Sequence, residues 1–142
     1  MIRTATAADF EAIRLLLAAQ DLPVSDLADL RPRFQVACSG ATIVAAGALE
    51  VHGEAALLRS VVVAPAWQRR GLGRRIVKAL EREARAAGIS RLVLLTPSAA
   101  AFFAGLGYQP IARAAAPAAL HSSGEFRTLC PATAACLAKT LR

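Results

Sequence analysis

The residues best placed to do chemistry are Gln68-Arg69-Arg70-Gly71-Leu72-Gly73-Arg74, a glycine- and arginine-rich stretch between an apolar run and an amphipathic one. It falls where a helix must begin, so its backbone N–H groups lack intrahelical partners and point outward together, which favours an anion. Gly71 and Gly73 have no Cβ and let a phosphate approach the main chain, while Arg69, Arg70, Arg74 and Arg75 add positive charge around the same spot. A pyrophosphate is the guest that such a loop predicts. Two common phosphate loops do not match: G-x-x-x-x-G-K-S/T is absent, and the third glycine of G-x-G-x-x-G is missing.

A second set of candidates is ionisable. Glu50, His52 and Glu54 bracket a tight turn at His52-Gly53, and Glu125 lies in a distal loop that should return over a site built here. A solvated turn accounts for the first three better than chemistry does. Glu50 lies furthest inside its strand and is the preferred catalytic candidate among them, with Glu125 close behind. Arg31, Arg33, Arg59 and Arg113 have no evident structural duty and could pair with anionic oxygens of a substrate, although solvated or structural roles suit Arg31 and Arg33 better. Arg59 and Arg113 are therefore the substrate-binding candidates. A charge inside LLRSVVV, as at Arg59, must either enter a cleft or project from a sheet.

The elements that position these groups follow from periodicity. Ile2 to Ala5 predicts a short strand, and Thr6-Ala7-Ala8-Asp9 a capping box opening a helix in which Phe10, Ile13, Leu16 and Leu17 share a face. Leu22 to Pro32 reads as a loop with at most one short helix around Ser25 to Leu30. Phe34 to Cys38, Thr42 to Val51 and Glu54 to Val63 predict three strands whose short connections make them antiparallel neighbours. A helix from Gly73 to Ala87, with Gly88 just past its end, then leads to a buried strand at Arg91 to Leu95, parallel to the strand ending at Val63. Ala99 to Leu106 predicts a short apolar helix, and Tyr108 to Ala112 a further strand.

With 142 residues, 56% of them hydrophobic and 19% charged, the chain suits one folded domain, 1–142. Its net charge of +7 permits nucleic-acid, membrane or anionic-cofactor binding. The positive residues crowd into Arg69 to Arg91, and seven aromatic residues offer no base-stacking platform, so no nucleic-acid partner is expected and a basic nucleic-acid module is the weaker reading. Cys38, Cys130 and Cys136 show neither disulfide nor metal spacing, which predicts reduced thiols, no metal and a cytoplasmic setting. The apolar stretch from Ala99 to Leu120 is interrupted by Gly105, Gly107, Pro110, Arg113 and Pro117, so no membrane span is expected.

The strand ending Val63-x-Pro65, followed by Gln68-x-x-Gly71-x-Gly73 and a helix, resembles the core motif of the GNAT acetyltransferases. Leu106-Gly107-Tyr108 is similar to that family's L-G-F/Y, so the resemblance covers most of the chain. The E-F-x-x-L-C-P stretch at Glu125 to Pro131 looks like small acetyltransferases of arsenic-resistance operons, and LLTPSAAAFFAGLGY is similar to the acetyltransferase domain of N-acetylglutamate synthases. The resemblance implies an α/β (α+β) fold. Its mixed, mostly antiparallel sheet has a V-shaped split between two parallel strands, flanked by about four helices. It implies acetyl-CoA as co-substrate, with pantetheine on the backbone of Val61, Val62 and Val63 and the pyrophosphate at Gln68, Arg69, Arg70, Gly71, Leu72, Gly73 and Arg74. Thr96 stands where the family has asparagine and Phe103 where it usually has a tyrosine acid; both are placed at the cofactor, with the general acid unassigned and Tyr108 in the core. The activity implied is N-acetylation of a small amino acid or amino-acid-like toxin, such as an arsenic- or phosphinate-containing glutamate analogue. A degenerate fold that binds acyl-CoA or a protein partner without turnover is the alternative, and a homodimer is allowed.

Overall fold

In a computed structural model that describes residues 1–25, 33–126 and 133–141, the chain begins with β1 (Ile2–Thr4), a 3-10 turn (Ala7–Asp9) and α1 (Phe10–Ala18). It continues through β2 (Phe34–Ser39), β3 (Thr42–His52), β4 (Ala55–Val63), a 3-10 turn (Pro65–Trp67), α2 (Leu72–Ala86), β5 (Arg91–Thr96) and α3 (Ala100–Ala104). Two-residue β6 (Gln109–Pro110), 3-10 turns at Arg113–Ala115 and Ala118–Ser122, and β7 (Ala135–Thr140) follow. The strands form one sheet in the order β1-β2-β3-β4-β5-β7-β6. Only β4 and β5 run parallel; the other adjacent pairs are antiparallel.

The predicted mixed α/β sheet is present, with three corrections. β7 was not anticipated, and it separates β5 from β6. The strand expected over Tyr108 to Ala112 is cut to Gln109–Pro110, because Pro110 has no N–H to donate; only the Ile111 N–H bond to Cys136 O (2.9 Å) extends the contact with β7. Of the helices, three α-helices lie among the described residues, and the one allowed for at Ser25 to Leu30 falls outside them from residue 26 on. The predicted glycine cap is where expected: Gly88 has φ +80°, and Ile89 N–H reaches back to Ala84 O (2.9 Å).

α2 covers one face of the sheet because Ile76, Val77, Leu80 and Ala84 fall on one side of it, and all four are fully buried against Leu49, Leu58, Leu92 and Leu94. Each large aliphatic side chain so buried contributes about 1.5–3 kcal/mol. One charge lies on the buried flank of α2, at Glu81. Its Oε2 accepts from the Tyr108 hydroxyl (2.8 Å) and from Lys139 Nζ (3.0 Å), and Lys139 also donates to Leu106 O (2.9 Å). Burial, and then the neighbouring Glu81 charge, push the Tyr108 phenol far above its usual range, so it remains a donor. On the opposite face α1 packs on Phe34, Val36, Ala46 and Ala48, while the segment around Leu120 packs on Leu57, Val93 and Cys136.

Two departures from regular pairing shape the centre of the sheet. Ala46 faces Val62 and Ala48 faces Arg59, so Ser60 and Val61 together oppose Gly47 in a bulge, and Ser60 takes a left-handed φ of +58°. β4 also pairs with β5 only from Ala55↔Arg91 to Leu57↔Val93, after which the two parallel strands separate. The result is the V-shaped split. Gly47 is required at the bulge, because a Cβ there would lie 2.7 Å from Ile76 Cγ2, 3.0 Å from Leu80 Cδ1 and 3.3 Å from Val61 Cγ2. Gly47→Ala should cost about 1–3 kcal/mol of stability, as overpacked cores do. A urea midpoint unchanged from the wild type would show that α2 sits further from β3 than described.

Candidate active site

The V opens toward the glycine loop. A cleft of about 590 Å³ runs between β4, the loop and α3, lined among others by Val61, Val63, Gly71, Gly73, Ser98 and Phe103. The main chain sets its polar character. Ala64 N–H bonds to Val44 O (2.8 Å), so Ala64, and by alternation Val62, turn their backbone groups to β3, while Val61 and Val63 turn theirs into the gap left by β5. Of the three valines expected to meet pantetheine, two thus present backbone to the cleft. Val62 also lines it but is committed to the sheet.

Gln20, two residues past α1, and Gln68 both donate through Nε2 to Val63 O, at 2.7 and 3.1 Å, so this carbonyl is satisfied by two side-chain amides. Gln68 therefore reaches the strand end with its side chain, leaving its backbone for the loop. Arg69 and Gly71 are both left-handed, with φ +65° and +79°, and Gly71 caps α2. Nothing lies within 4 Å of a Cβ built on Gly71, whereas one on Gly73 would meet Phe102 Cζ at 3.2 Å. Leu72 and the exposed Arg69 and Arg74 also line the cleft. Arg70 does not; its guanidinium stacks over Trp67, 4.7 Å from the ring centroid. A loop with bare glycines, outward amides and arginines beside a strand edge carrying amide-type groups fits a nucleotide pyrophosphate joined to an amide-containing arm, which is the chemistry of CoA.

A second cavity of about 200 Å³ occupies the other mouth of the V and shares Gln20, Val61, Ser98, Ala99 and Phe103 with the first. Phe103 is buried between them, edge-on to Phe102 and Tyr108. Thr96 lines this second cavity and not the first; its Oγ1 accepts from the N–H of Ala99 (2.9 Å) and Ser98 (3.3 Å), fixing the turn into α3. Arg59 and Ser60 complete the wall.

Behind that wall the structure brings three candidates together. The Arg59 side chain is fully buried, with Nη1 3.0 Å from Glu50 Oε1 and Nε 3.3 Å from Glu125 Oε2. Ser123 Oγ also donates to Glu50 Oε1 (3.1 Å), and His52 Nε2 lies 2.6 Å from Glu50 Oε2. Neither Glu50 nor Glu125 lines either cavity, and both stand behind Arg59. Arg113 stands apart, its guanidinium 5.7 Å from the Phe126 ring, and lines neither cavity. Arg33 pairs at 3.7 Å with Glu83, and Arg31 falls outside the described residues. Gln20, Ser60 and Ser123 were not singled out from sequence. Nothing local marks them, since their roles arise from packing between distant segments. Among the described residues no cluster of His, Cys, Asp and Glu could hold a metal, and no helix is long and apolar enough to cross a membrane.

Known proteins share this fold. The sequence profile of the acetyltransferase (GNAT) domain matches residues 31–110. N-alpha-acetyltransferase 80 of Mus musculus is 49% identical over 53 residues, which are 37% of this chain and 17% of that protein. N-acetylglutamate synthase from Neisseria gonorrhoeae, solved with coenzyme A and N-acetyl-glutamate, superposes with a TM-score of 0.86 at 22% identity over 100% of this chain and 35% of its own. Rv2747 from Mycobacterium tuberculosis, solved in complex with CoA, gives 0.84 at 25% identity over 100% of this chain and 99% of its own. The chain thus spans about a sixth of the mouse relative and about a third of the synthase. With more than half its length under one profile and a split sheet shared with CoA-bound structures, the chain belongs to the GNAT acetyltransferase family, acyltransferases whose co-substrate is acetyl-CoA.

Proposed function

We propose that the chain transfers acetyl from acetyl-CoA to the amine of a small amino acid or amino-acid-like compound. The observation that carries this is the pair of adjoining cavities at the split in the sheet, one at the glycine loop and one bordered by Arg59, which share the walls formed by Gln20, Val61, Ser98, Ala99 and Phe103. Acetyl-CoA supplies an activated thioester. The chain supplies the rest: loop amides and Arg69 and Arg74 for the pyrophosphate, Val61 and Val63 backbone for the pantetheine amides, and a mostly apolar passage that excludes water around the reacting carbon.

The roles first given to Glu50 and Glu125 change in this proposal. Because they hold Arg59 and do not line the cavities, they act as positioning residues, and Arg59 is the group that meets the acceptor. An acceptor carboxylate or phosphinate oxygen would bind Arg59 beside, or in exchange for, one of its two carboxylate contacts. This favours a single anionic group next to the amine, as in an amino acid, and a glutamate analogue of arsenic- or phosphinate-type is the finer form of the reading. Binding of acyl-CoA without turnover is a second reading, favoured by Phe103 in place of the family's tyrosine and by the lack of a carboxylate or imidazole among the described residues that line the cavities. Thiol release from acetyl-CoA across a panel of amino acids separates the two.

Three outcomes test this. Gly71→Val should abolish stabilisation by CoA while leaving the unliganded protein folded, because the space around its Cβ is empty and only about 1–2 kcal/mol of left-handed strain is added. Full CoA affinity in that variant would remove the pyrophosphate assignment. Phe103→Tyr should change the turnover rate by less than about tenfold, or ~1.4 kcal/mol of barrier, and complete loss of turnover in a folded, CoA-binding variant would contradict its role as a wall. Arg59→Ala leaves Glu50 and Glu125 without their shared cation and should cost about 3–5 kcal/mol. Adding Glu50→Gln should return about 1–2 kcal/mol of that, and strictly additive urea midpoints would show that the pair is not coupled.

A further inference from the structure

Positive charge on α2 extends past the loop that a pyrophosphate needs. Arg74, Arg75, Lys78 and Arg82, with Ile2 of β1, line a separate concavity of about 370 Å³. Arg74 belongs to the wall of this concavity and of the cofactor cleft, so the two adjoin. At 1.5 Å per residue, Arg74 to Arg82 covers roughly 12 Å of helix, further than one pyrophosphate extends. The charges are also poorly neutralised. Among the described residues no carboxylate lines the concavity and Arg74, Arg75 and Arg82 form no salt bridge, while Lys78 lies 3.8 Å from Glu81 Oε1, which is buried beneath it. Arg3, Arg14 and Arg33 elsewhere each have a carboxylate partner. Arg74, Lys78 and Arg82 succeed one another four residues apart, the spacing at which like charges on a helix repel.

Four cations converging on one concavity, of which Lys78 alone has a carboxylate near it among the described residues, call for a multiply charged anion. Arginine forks suit the tetrahedral oxygens of a phosphate better than a carboxylate of single charge. We propose that this concavity is a second phosphate site, taking a phosphate monoester. One source is the 3′-phosphate of the CoA in the adjoining cleft, which rests on the cofactor reading above; the other is a free phosphate.

Binding of CoA and of dephospho-CoA, measured by calorimetry, tests the first source. Wild-type protein should prefer CoA by about tenfold, and Arg75→Ala/Arg82→Ala should erase that preference without unfolding the chain, since both side chains are exposed. Arg85→Ala removes an exposed cation of the same helix that does not line the concavity and should keep the preference. If Arg85→Ala erases it equally, the general field of the helix is responsible and the site is refuted. Where CoA and dephospho-CoA bind alike, inorganic phosphate decides: a rise in the wild-type melting temperature that is lost in Arg75→Ala/Arg82→Ala supports the free-phosphate source. No preference together with no such rise overturns the proposal. Wild-type protein that binds neither CoA nor dephospho-CoA would instead refute the cofactor reading, and the phosphate arm would then judge the concavity alone.

Discussion

The cleft in this fold depends on β4 losing its parallel partner after the first third of its length. A strand in the middle of a sheet must satisfy backbone groups on both edges, and leaving a buried one unpaired costs about 1–3 kcal/mol. Beyond Leu57 and Val93 no ladder bonds join β4 to β5, and the bulge at Ser60 and Val61 bends β4 further from regular pairing. Val61 and Val63 then face an open gap. The chain meets part of this demand with the amides of Gln20 and Gln68 on Val63 O. Side-chain amides standing on a bare strand edge indicate what that edge can accept from a ligand, namely an extended arm bearing amides of its own. Gln20 lies in the walls of both cavities, so the group that satisfies the strand also borders the acceptor side.

Local pattern made the loop and its flanking elements legible. The apolar run, the glycines and the amphipathic stretch of α2 lie within thirty residues, and each obeys its own short-range rule. β7 was not legible, because Ala135–Thr140 is rich in small residues with little intrinsic strand preference and owes its conformation to pairing with β5. The left-handed Ser60 was equally hidden. Serine does not announce a positive φ as glycine does, and the role of Gly47 opposite it, where a Cβ would lie 2.7 Å from Ile76 Cγ2, emerges only once the strand register is known.

The buried arginine shows the same limit in electrostatic terms. LLRSVVV states that Arg59 needs an anion or a cleft, and the structure supplies both, since its head pairs with Glu50 and Glu125 while the residue borders the second cavity. Glu50 is on the adjacent strand, but its approach to Arg59 depends on a register that the bulge shifts. Glu125 arrives from a segment packed across the face of the sheet, and no sequence spacing encodes that return. A buried cation held by two carboxylates contributes little net stability compared with an apolar core. What it does provide is a guanidinium with a fixed direction behind the wall of the second cavity.

That arrangement bears on how the proposed reaction could proceed without a dedicated acid. The chain has one tyrosine, and its hydroxyl is tied to Glu81 on the far flank of α2, with burial holding it protonated. The usual acid position is Phe103, which cannot donate a proton. An amide or alkoxide leaving group would make this prohibitive. A thiol is different, because thiols, cysteine's at about 8.5 among them, are many units more acidic than an alcohol or an amide N–H. Expulsion of unprotonated thiolate is therefore a modest burden, and the greater one falls on the acceptor, whose ammonium must lose a proton before it can attack. With carboxylates held behind Arg59, that proton leaves by way of water or through a substrate amine that enters neutral. On the proposed reading, an acceptor whose amine pKa is lowered by a neighbouring carboxyl group, as in an α-amino acid, would lose that proton more readily than a simple alkylamine.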